Sequence, residues 1–505
     1  RGWLAATHPV ILFKTTSQIH AMSEIVVATL NSRYSHASLG LRYLLANMGE
    51  LQPQTRLLEF IISQRPIDIV EKLLSEQPRI IGLGVYIWNI EETTKVVAML
   101  KAAAPEIVVV LGGPEVSYET DEQPIVQLAD YVITGWGDVS FPALCHELMR
   151  GKRPAEKIIP GIQPPLDQIL LPYCFYTEED LANRLIYVEA SRGCPFKCEF
   201  CLSSLDKTAW PFDLDAFLAE MKSLYDRGAR QFKFVDRTFN LNIKASLRVL
   251  EFFLERMDDK LFLHFEVIPD HLPDKLKQAI LRFPAGSLQF EVGIQTFNPE
   301  VQALINRKQD NSKSAENLAW LRNHSHAHIH ADLIAGLPGE SLESFGKGFN
   351  HMVTLGPHDI QLGILKRLRG TPIGRHAKDF GIKFNPLPPY NILCSDLLDF
   401  MTMQRISRFA RYWEMIGNTS RYTRTLPLLL GDDPFGRFMY FADWLFATTG
   451  HQFALERLYD LIFEVMTKKL AVDVSAAYET LSQDYAASGA RGAPRFLNMT
   501  ASQTI

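Results

Sequence analysis

The sequence predicts an α/β protein in three parts: a doubly wound unit at the front, six strand–helix repeats in the middle, and a mainly helical C-terminal segment. Three observations carry this reading. From Glu24 to Thr134, short β-branched runs alternate with amphipathic stretches of helical length, the pattern of βαβ units and a parallel sheet covered on both faces. Behind a Pro-rich connection at 160–172 the alternation resumes. Beyond Gly370-Thr371-Pro372 the composition turns helical and aromatic.

In the front unit, strands are expected over 25–30, 56–61, 79–85, 107–111 and 131–134, with helices over 37–48, 66–75 and 90–103 between them. Two of the strands end in glycine turns. Leu111 is followed by Gly112-Gly113-Pro114-Glu115, and Thr134 by Gly135-Trp136-Gly137-Asp138 and a helix from Phe141. The carboxyl edge of such a sheet is where ligands bind. Glycines there let the backbone approach a large ligand and present amides to its phosphates. Either turn alone reads as a tight turn; two on one edge point to a nucleotide-like ligand.

Size and charge set limits. A chain of 505 residues exceeds what one core usually serves, so two or three domains are expected. An apolar fraction of 47% with 22% charged residues is that of a soluble globular protein. Fifty-two basic against fifty-seven acidic side chains give no strong field, so nucleic acid is not indicated. No apolar run approaches a membrane span, so no membrane partner is expected. Residues 1–21 start without methionine, precede Met22-Ser23-Glu24, and read as a leader or expression remnant.

Six cysteines in so long a chain do not form a disulfide framework. Cys145, Cys174 and Cys394 stand alone and read as buried thiols. Cys194, Cys198 and Cys201 crowd into eight positions just after the strand expected over 185–189. Clustered thiols in a reducing compartment suggest a metal site, and the cytoplasm is the natural location. Thiolates suit iron–sulfur clusters, which normally take four, so three leave one iron open. A zinc site would want a fourth Cys or His close by, and none follows before His264.

The loop Cys194-Pro195-Phe196-Lys197-Cys198-Glu199-Phe200-Cys201, with Phe200 before the last cysteine, resembles the signature of the radical S-adenosylmethionine (SAM) family. The resemblance implies a [4Fe–4S] cluster on the three cysteines, SAM on the open iron, and reductive cleavage to a 5′-deoxyadenosyl radical. It also implies a partial (β/α)6 barrel built on strands at 185–189, 231–235, 261–267, 288–294, 328–334 and 360–365, with catalytic groups at their carboxyl ends. Within the family the fit is tightest to the oxygen-independent coproporphyrinogen oxidase branch. Gly293-Ile294-Gln295 with Asn306-Arg307, Glu266 on the third strand, and Asp332 in Asp332-Leu333-Ile334-Ala335-Gly336-Leu337-Pro338 match its pattern. By that match Phe200, Glu266, Gln295, Arg307 and Asp332 contact SAM. Carboxylates accept ribose hydroxyls, and arginine forks onto a carboxylate. The family's Gly-Gly-Glu after the second strand is replaced by Val235-Asp236-Arg237, and Asp236 is expected to take over the SAM ammonium. Glu291 is a further SAM candidate, set against a barrel-lining ion pair.

The front unit resembles the Rossmann-like cobalamin-binding domain placed before the barrel in many radical SAM proteins. The glycine turns carry the likeness, and it implies that Gly112, Gly113, Pro114, Gly135 and Gly137 hold the corrinoid tail. Tyr86 and Trp88, after the third strand, resemble residues that cover the lower corrin face; ordinary interface packing is the alternative. The familiar Asp-x-His-x-x-Gly is replaced by Tyr34-Ser35-His36-Ala37-Ser38-Leu39-Gly40, without the aspartate that would orient the ring. His36 is therefore a cobalt-ligand candidate set against a residue that caps or packs the first helix.

The expected domains are 22–152 (cobalamin-binding), 153–184 (linker), 185–384 (barrel) and 385–505 (helical), the last with helical runs at 394–416, 434–448 and 453–469 and a mobile tail at 486–505. The resemblance implies a cobalamin-dependent radical SAM methyltransferase acting on an unactivated carbon of a small-molecule or unknown substrate. It also implies an external electron donor such as flavodoxin or ferredoxin. A radical rearrangement, cyclisation or oxidation without methyl transfer, and a corrinoid carrier or sensor, are the alternatives.

Overall fold

The computed structural model describes residues 23–206, 208–449 and 454–498. The stretch read as a leader lies outside them. The front sheet runs β1 (Ile25–Asn31), β2 (Thr55–Ile61), β3 (Ile80–Gly84), β4 (Val108–Gly112), β5 (Tyr131–Thr134) and β6 (Ile158–Pro160), in the order β2-β1-β3-β4-β5-β6 and parallel throughout. β1 is buried along its whole length, which is why it is almost continuously apolar: helices cover both faces of an inner parallel strand. Val26, Ala28 and Leu30 enter the core on one face; Ile25 and Val27 enter the other. The five expected strands are present. β6 corrects the linker expected over 153–184, because its backbone extends the sheet beside β5 although it is short and ends in proline.

The second sheet holds β7 (Ile186–Val188), then, past a small antiparallel hairpin of β8 (Ser191–Gly193) and β9 (Ala209–Pro211), β10 (Gln231–Phe234), β11 (Phe262–Val267), β12 (Leu288–Gln295), β13 (His328–Ala335) and β14 (Asp359–Ile364). Its order β14-β13-β12-β11-β10-β7 is an open, six-stranded parallel sheet, a partial barrel. Along β12 and β13 every second side chain is buried against the outer helices and the others face the concave side.

The last third begins with a hairpin of β15 (Lys383–Phe384) and β16 (Ile392–Cys394), so the helix expected from 394 starts instead at Phe400. Helices Pro434–Thr449 and Leu455–Lys468 follow, together with Thr425–Leu430 and Val474–Ala487, which sequence reasoning missed. The tail is not uniformly loose: Phe496 is buried, its ring stacked 5.1 Å from that of Phe463. These helices share one core with the barrel. Phe349, on the barrel helix Leu342–Leu355, meets Phe409, Trp413 and Phe435 edge-on or tilted.

The two sheets are joined at the start of the barrel. Ser35 O accepts the Leu185 amide at 3.0 Å, and His36 bridges Leu185 in parallel. Beneath this seam the buried Arg42 donates to Glu59 Oε2 at 3.0 Å, to Asp180 Oδ2 at 2.8 Å and to Ser38 O at 2.9 Å, with its guanidinium over the Tyr176 ring. Arg184 donates to the same Glu59 oxygen. Arg42→Met would leave Glu59 and Asp180 short of their cation in a buried site. That should cost about 3–5 kcal/mol, read as a lower urea midpoint by circular dichroism and faster proteolysis between the sheets.

Candidate functional site

Two cavities open at the carboxyl ends of the two sheets. The larger, about 970 Å³, is lined by the strand ends of the front sheet and by Tyr187, Glu189 and Val235 of the barrel. Gly112, Gly113, Pro114, Gly135 and Gly137 all border it, as do His36, Tyr86 and Trp88. Gly113 has φ +107°, and a Cβ there would lie 2.5 Å from Val85 O, so only glycine lets β4 turn this close to β3. Gly135 also has positive φ (+70°) and has nothing within 4 Å of a Cβ position, which leaves its face of the loop free. Tyr86 and Trp88 stack on each other, 4.4 Å apart and 8° from parallel, and make one flat aromatic wall. These features fit a large flat ligand with a phosphate-bearing tail: an open edge, close backbone and an aromatic wall.

His36 does not cap the first helix; Ser38 does, accepting the Leu41 amide. The His36 ring is held by Tyr187, its Nδ1 2.5 Å from the phenol oxygen. The partner missing from the local sequence is thus supplied from the barrel, and burial lowers the imidazole's pKa. Arg192, also unforeseen, donates to Asp138 at 3.1 Å and to Glu189 at 2.6 Å and lies over the rings of Tyr43 and Trp136, closing the cavity's other side.

The smaller cavity, about 240 Å³, gathers Cys194, Cys198, Cys201, Phe200, Glu266, Glu291, Gln295, Arg307 and Asp332. Sequence positions spread from 194 to 332 are thus brought to one place. The three thiols line this one cavity. Three thiols from one short loop fit a cluster, in which each iron takes its own thiolate. Burial pushes the Cys194 thiol up to about 11; iron, as the strongest local charge, would displace the proton. Arg307 reaches over Cys198, Nη1 to Sγ 3.6 Å, and donates to Gly293 O. Glu199 ties the cysteine loop down: it is buried, accepts from His376 at 2.9 Å and also pairs with Arg375.

Asp236 is the exception among the expected SAM contacts. It is not among the cavity's lining residues: it is buried and accepts from the Ala190 amide at 3.0 Å and from Ser191 Oγ at 2.6 Å, bracing the chain that leads into the cysteine loop. Burial pushes its carboxyl up to about 7. The alternation of burial carries on past the end of β10: Phe232, Phe234 and Asp236 are buried, while Lys233 and Arg237 are not. Arg237 lines the cavity and donates to both Glu266 oxygens at 3.0 Å. Glu291 is an ion-pair member and a lining residue at once. Burial would raise its carboxyl, but the His264 hydrogen bond (3.1 Å) and Lys233 (3.5 Å) outweigh burial and hold it at about 2. Asp332 Oδ1 is buried without a hydrogen-bond partner, within ion-pair reach of His330 at 3.4 Å, and burial raises its carboxyl. Asp332 thus lines the cavity with His330 as its neighbour and acceptor capacity to spare.

Known proteins resemble the chain in three segments. Residues 25–145 match the B12 binding domain, 188–350 the radical SAM superfamily, and 378–504 a protein family of unknown function (DUF4080). An uncharacterised methyltransferase of Pyrococcus horikoshii is 24% identical over 60% of this chain and 70% of its own. The cobalamin-dependent radical SAM methyltransferase TokK of Streptomyces tokunonensis is 23% identical over 62% of this chain and about half (51%) of its own. The radical SAM methyltransferase TsrM of Kitasatospora setae superposes with a TM-score of 0.58 at 16% identity, over 75% of this chain and 81% of its own; that likeness is one of fold.

Two substitutions test the cavities apart. Gly113→Ala should force the loop off Val85 and weaken cobalamin binding about tenfold or more, read by absorbance titration, with iron content unchanged. Cys198→Ala should abolish cluster assembly, read by iron and sulfide analysis after anaerobic reconstitution, with cobalamin binding unchanged.

Proposed function

We propose that this chain, a radical SAM protein with a B12-binding domain ahead of its barrel, is a cobalamin-dependent methyltransferase that methylates an unactivated carbon of a small-molecule substrate. Electrons would come from an external donor of the flavodoxin or ferredoxin kind. The single observation that carries the reading is the meeting of the two cavities on one barrel: Tyr187 and Val235 border the larger, Glu266 and Glu291 the smaller, on neighbouring strands. A group carried in one cavity and a radical made in the other would act on the same bound molecule. The methyltransferase names of the relatives support the choice of methyl transfer over rearrangement.

When bound, the cluster supplies the electron that breaks the S–C5′ bond of SAM, and the corrinoid carries the methyl group. The chain's own residues hold these groups. Cys194, Cys198 and Cys201 would hold the cluster, with one iron left for SAM. Asp332 would accept a ribose hydroxyl, Glu266 would accept a second polar group of SAM, and Arg307 would meet the carboxylate at the methionine end. Gln295 and Phe200 line the same wall. The backbone at Gly112–Pro114 and Gly135–Gly137 would take the corrinoid tail, Tyr86 and Trp88 would flank the ring, and His36, oriented by Tyr187, would face it.

With reductant, SAM, cobalamin and a metabolite extract containing the substrate, 5′-deoxyadenosine and S-adenosylhomocysteine should form in equal amounts, measured by mass spectrometry. Each turnover consumes one SAM by each route. Arg307→Ala or Asp332→Ala should raise the SAM requirement tenfold or more. Substrate-dependent 5′-deoxyadenosine without S-adenosylhomocysteine would favour rearrangement, and neither product under any reducing condition would favour a carrier.

A further inference from the structure

The concave face of the barrel is polar from one end to the other. In register across the sheet, one row runs Tyr187, Lys233, His264, Gln289, His328, and the next runs Glu266, Glu291, His330, Asp359. Closed barrels fill these layers with branched apolar side chains. Here the side chains of Lys233, Glu291, His330 and Asp359 are each between 21% and 25% accessible, so solvent enters the lumen.

Charge in this lumen is matched unevenly. Arg237 holds Glu266 through two contacts at 3.0 Å, His328 holds Asp359 at 2.6 Å, and His264 holds Glu291 at 3.1 Å. These three carboxylates have partners at hydrogen-bond distance, and Glu266 and Glu291 border the SAM cavity; Asp332, on the same face, meets His330 at 3.4 Å. Lys233 has one contact among the described residues, to Glu291 at 3.5 Å, which is long for an ammonium–carboxylate pair and leaves most of its three N–H donors to spare. Its position matters equally. Lys233 pairs in register with Tyr187, which borders the large cavity, and approaches Glu291, which borders the small one.

We propose that the substrate is a small hydrophilic molecule bearing an anionic group, a carboxylate or a phosphate, that docks on the Lys233 ammonium between the two cavities. The inference rests on the reading that both cavities serve one substrate. Gln289, in register between His264 and His328, would supply a hydrogen bond to the rest of the molecule.

The test uses the anaerobically reconstituted holoprotein. It is mixed with a small-molecule cell extract and freed of unbound solutes by gel filtration, and the retained compounds are released and identified by mass spectrometry. An anion should be retained by the wild type and by Lys233→Arg, and retention should fall about tenfold or more in Lys233→Met. Treating the extract with alkaline phosphatase should abolish retention of a phosphate ester and spare a carboxylate. Matching cluster and cobalamin absorbance in Lys233→Met certifies its fold; should that variant fail to load, Lys233→Gln, which keeps a donor for Glu291, decides instead. Retention of neutral or cationic compounds only, retention indifferent to Lys233, or no retention overturns the proposal. Product analysis is read separately: 5′-deoxyadenosine without S-adenosylhomocysteine would sink methyl transfer while leaving the Lys233 result to stand.

Discussion

Everything the two cavities can do together depends on how the front sheet faces the barrel, and that orientation hangs on a buried charge network. Arg42 cannot leave Glu59 and Asp180 without leaving two buried carboxylates to share Arg184, so the first helix of the front unit and the segment leading into β7 are bound to one geometry. The backbone bridge from Ser35 and His36 to Leu185 lies directly above. The network therefore sets the height of the front sheet's carboxyl edge relative to that of the barrel. A second tie works on the far side. Glu115, immediately after the Gly-Gly-Pro turn, accepts from Tyr390 at 2.6 Å and from Arg369 at 3.1 Å, so the loop bordering the large cavity is also held by residues beyond β14. Two such anchors on opposite flanks leave the front unit little freedom to rock.

Much of this was legible in the chain itself. Eleven parallel strands were located, those of the front sheet as apolar runs and those of the barrel by alternation of apolar and polar residues, and the glycine turns marked the ligand edge because Gly113 can tolerate no side chain there. The cysteine loop named its chemistry by spacing. What escaped were contacts between distant segments. Tyr187 as the partner of His36 is separated from it by 151 positions, and no local pattern could announce it. β6 was hidden by its length of three residues. Of the helices after 420, Thr425–Leu430 escaped because it is only six residues long with a proline inside it, and Val474–Ala487 because its apolar periodicity is weak although Asp473 caps it.

Asp236 is a different kind of miss, since the signal was present. Phe232 and Phe234 are the large apolar residues of their strand and face the outer helices, and the same alternation of burial continues through Asp236 and Arg237 beyond the strand's end. A match to a family motif by residue type pointed to the aspartate; the period of the strand pointed to the arginine. The same alternation brings Lys233, His264, Glu266, Glu291, His330 and Asp332 to one face, and so makes the lumen's polarity a property of sequence that needed only the phase to be read.

The shared core of the barrel and the C-terminal helices gives the chain a coarser anatomy than its three matched segments imply. The front unit owns two apolar cores, one on each side of its sheet, whereas the barrel and the helices behind it divide a single one. Cutting the chain between β15 and β16 would bare Phe349 and its aromatic neighbours rather than release a finished domain. A shortened chain that keeps the barrel's packing would therefore have to keep the helices behind it, whereas the front unit brings its own apolar cores on both sides of its sheet.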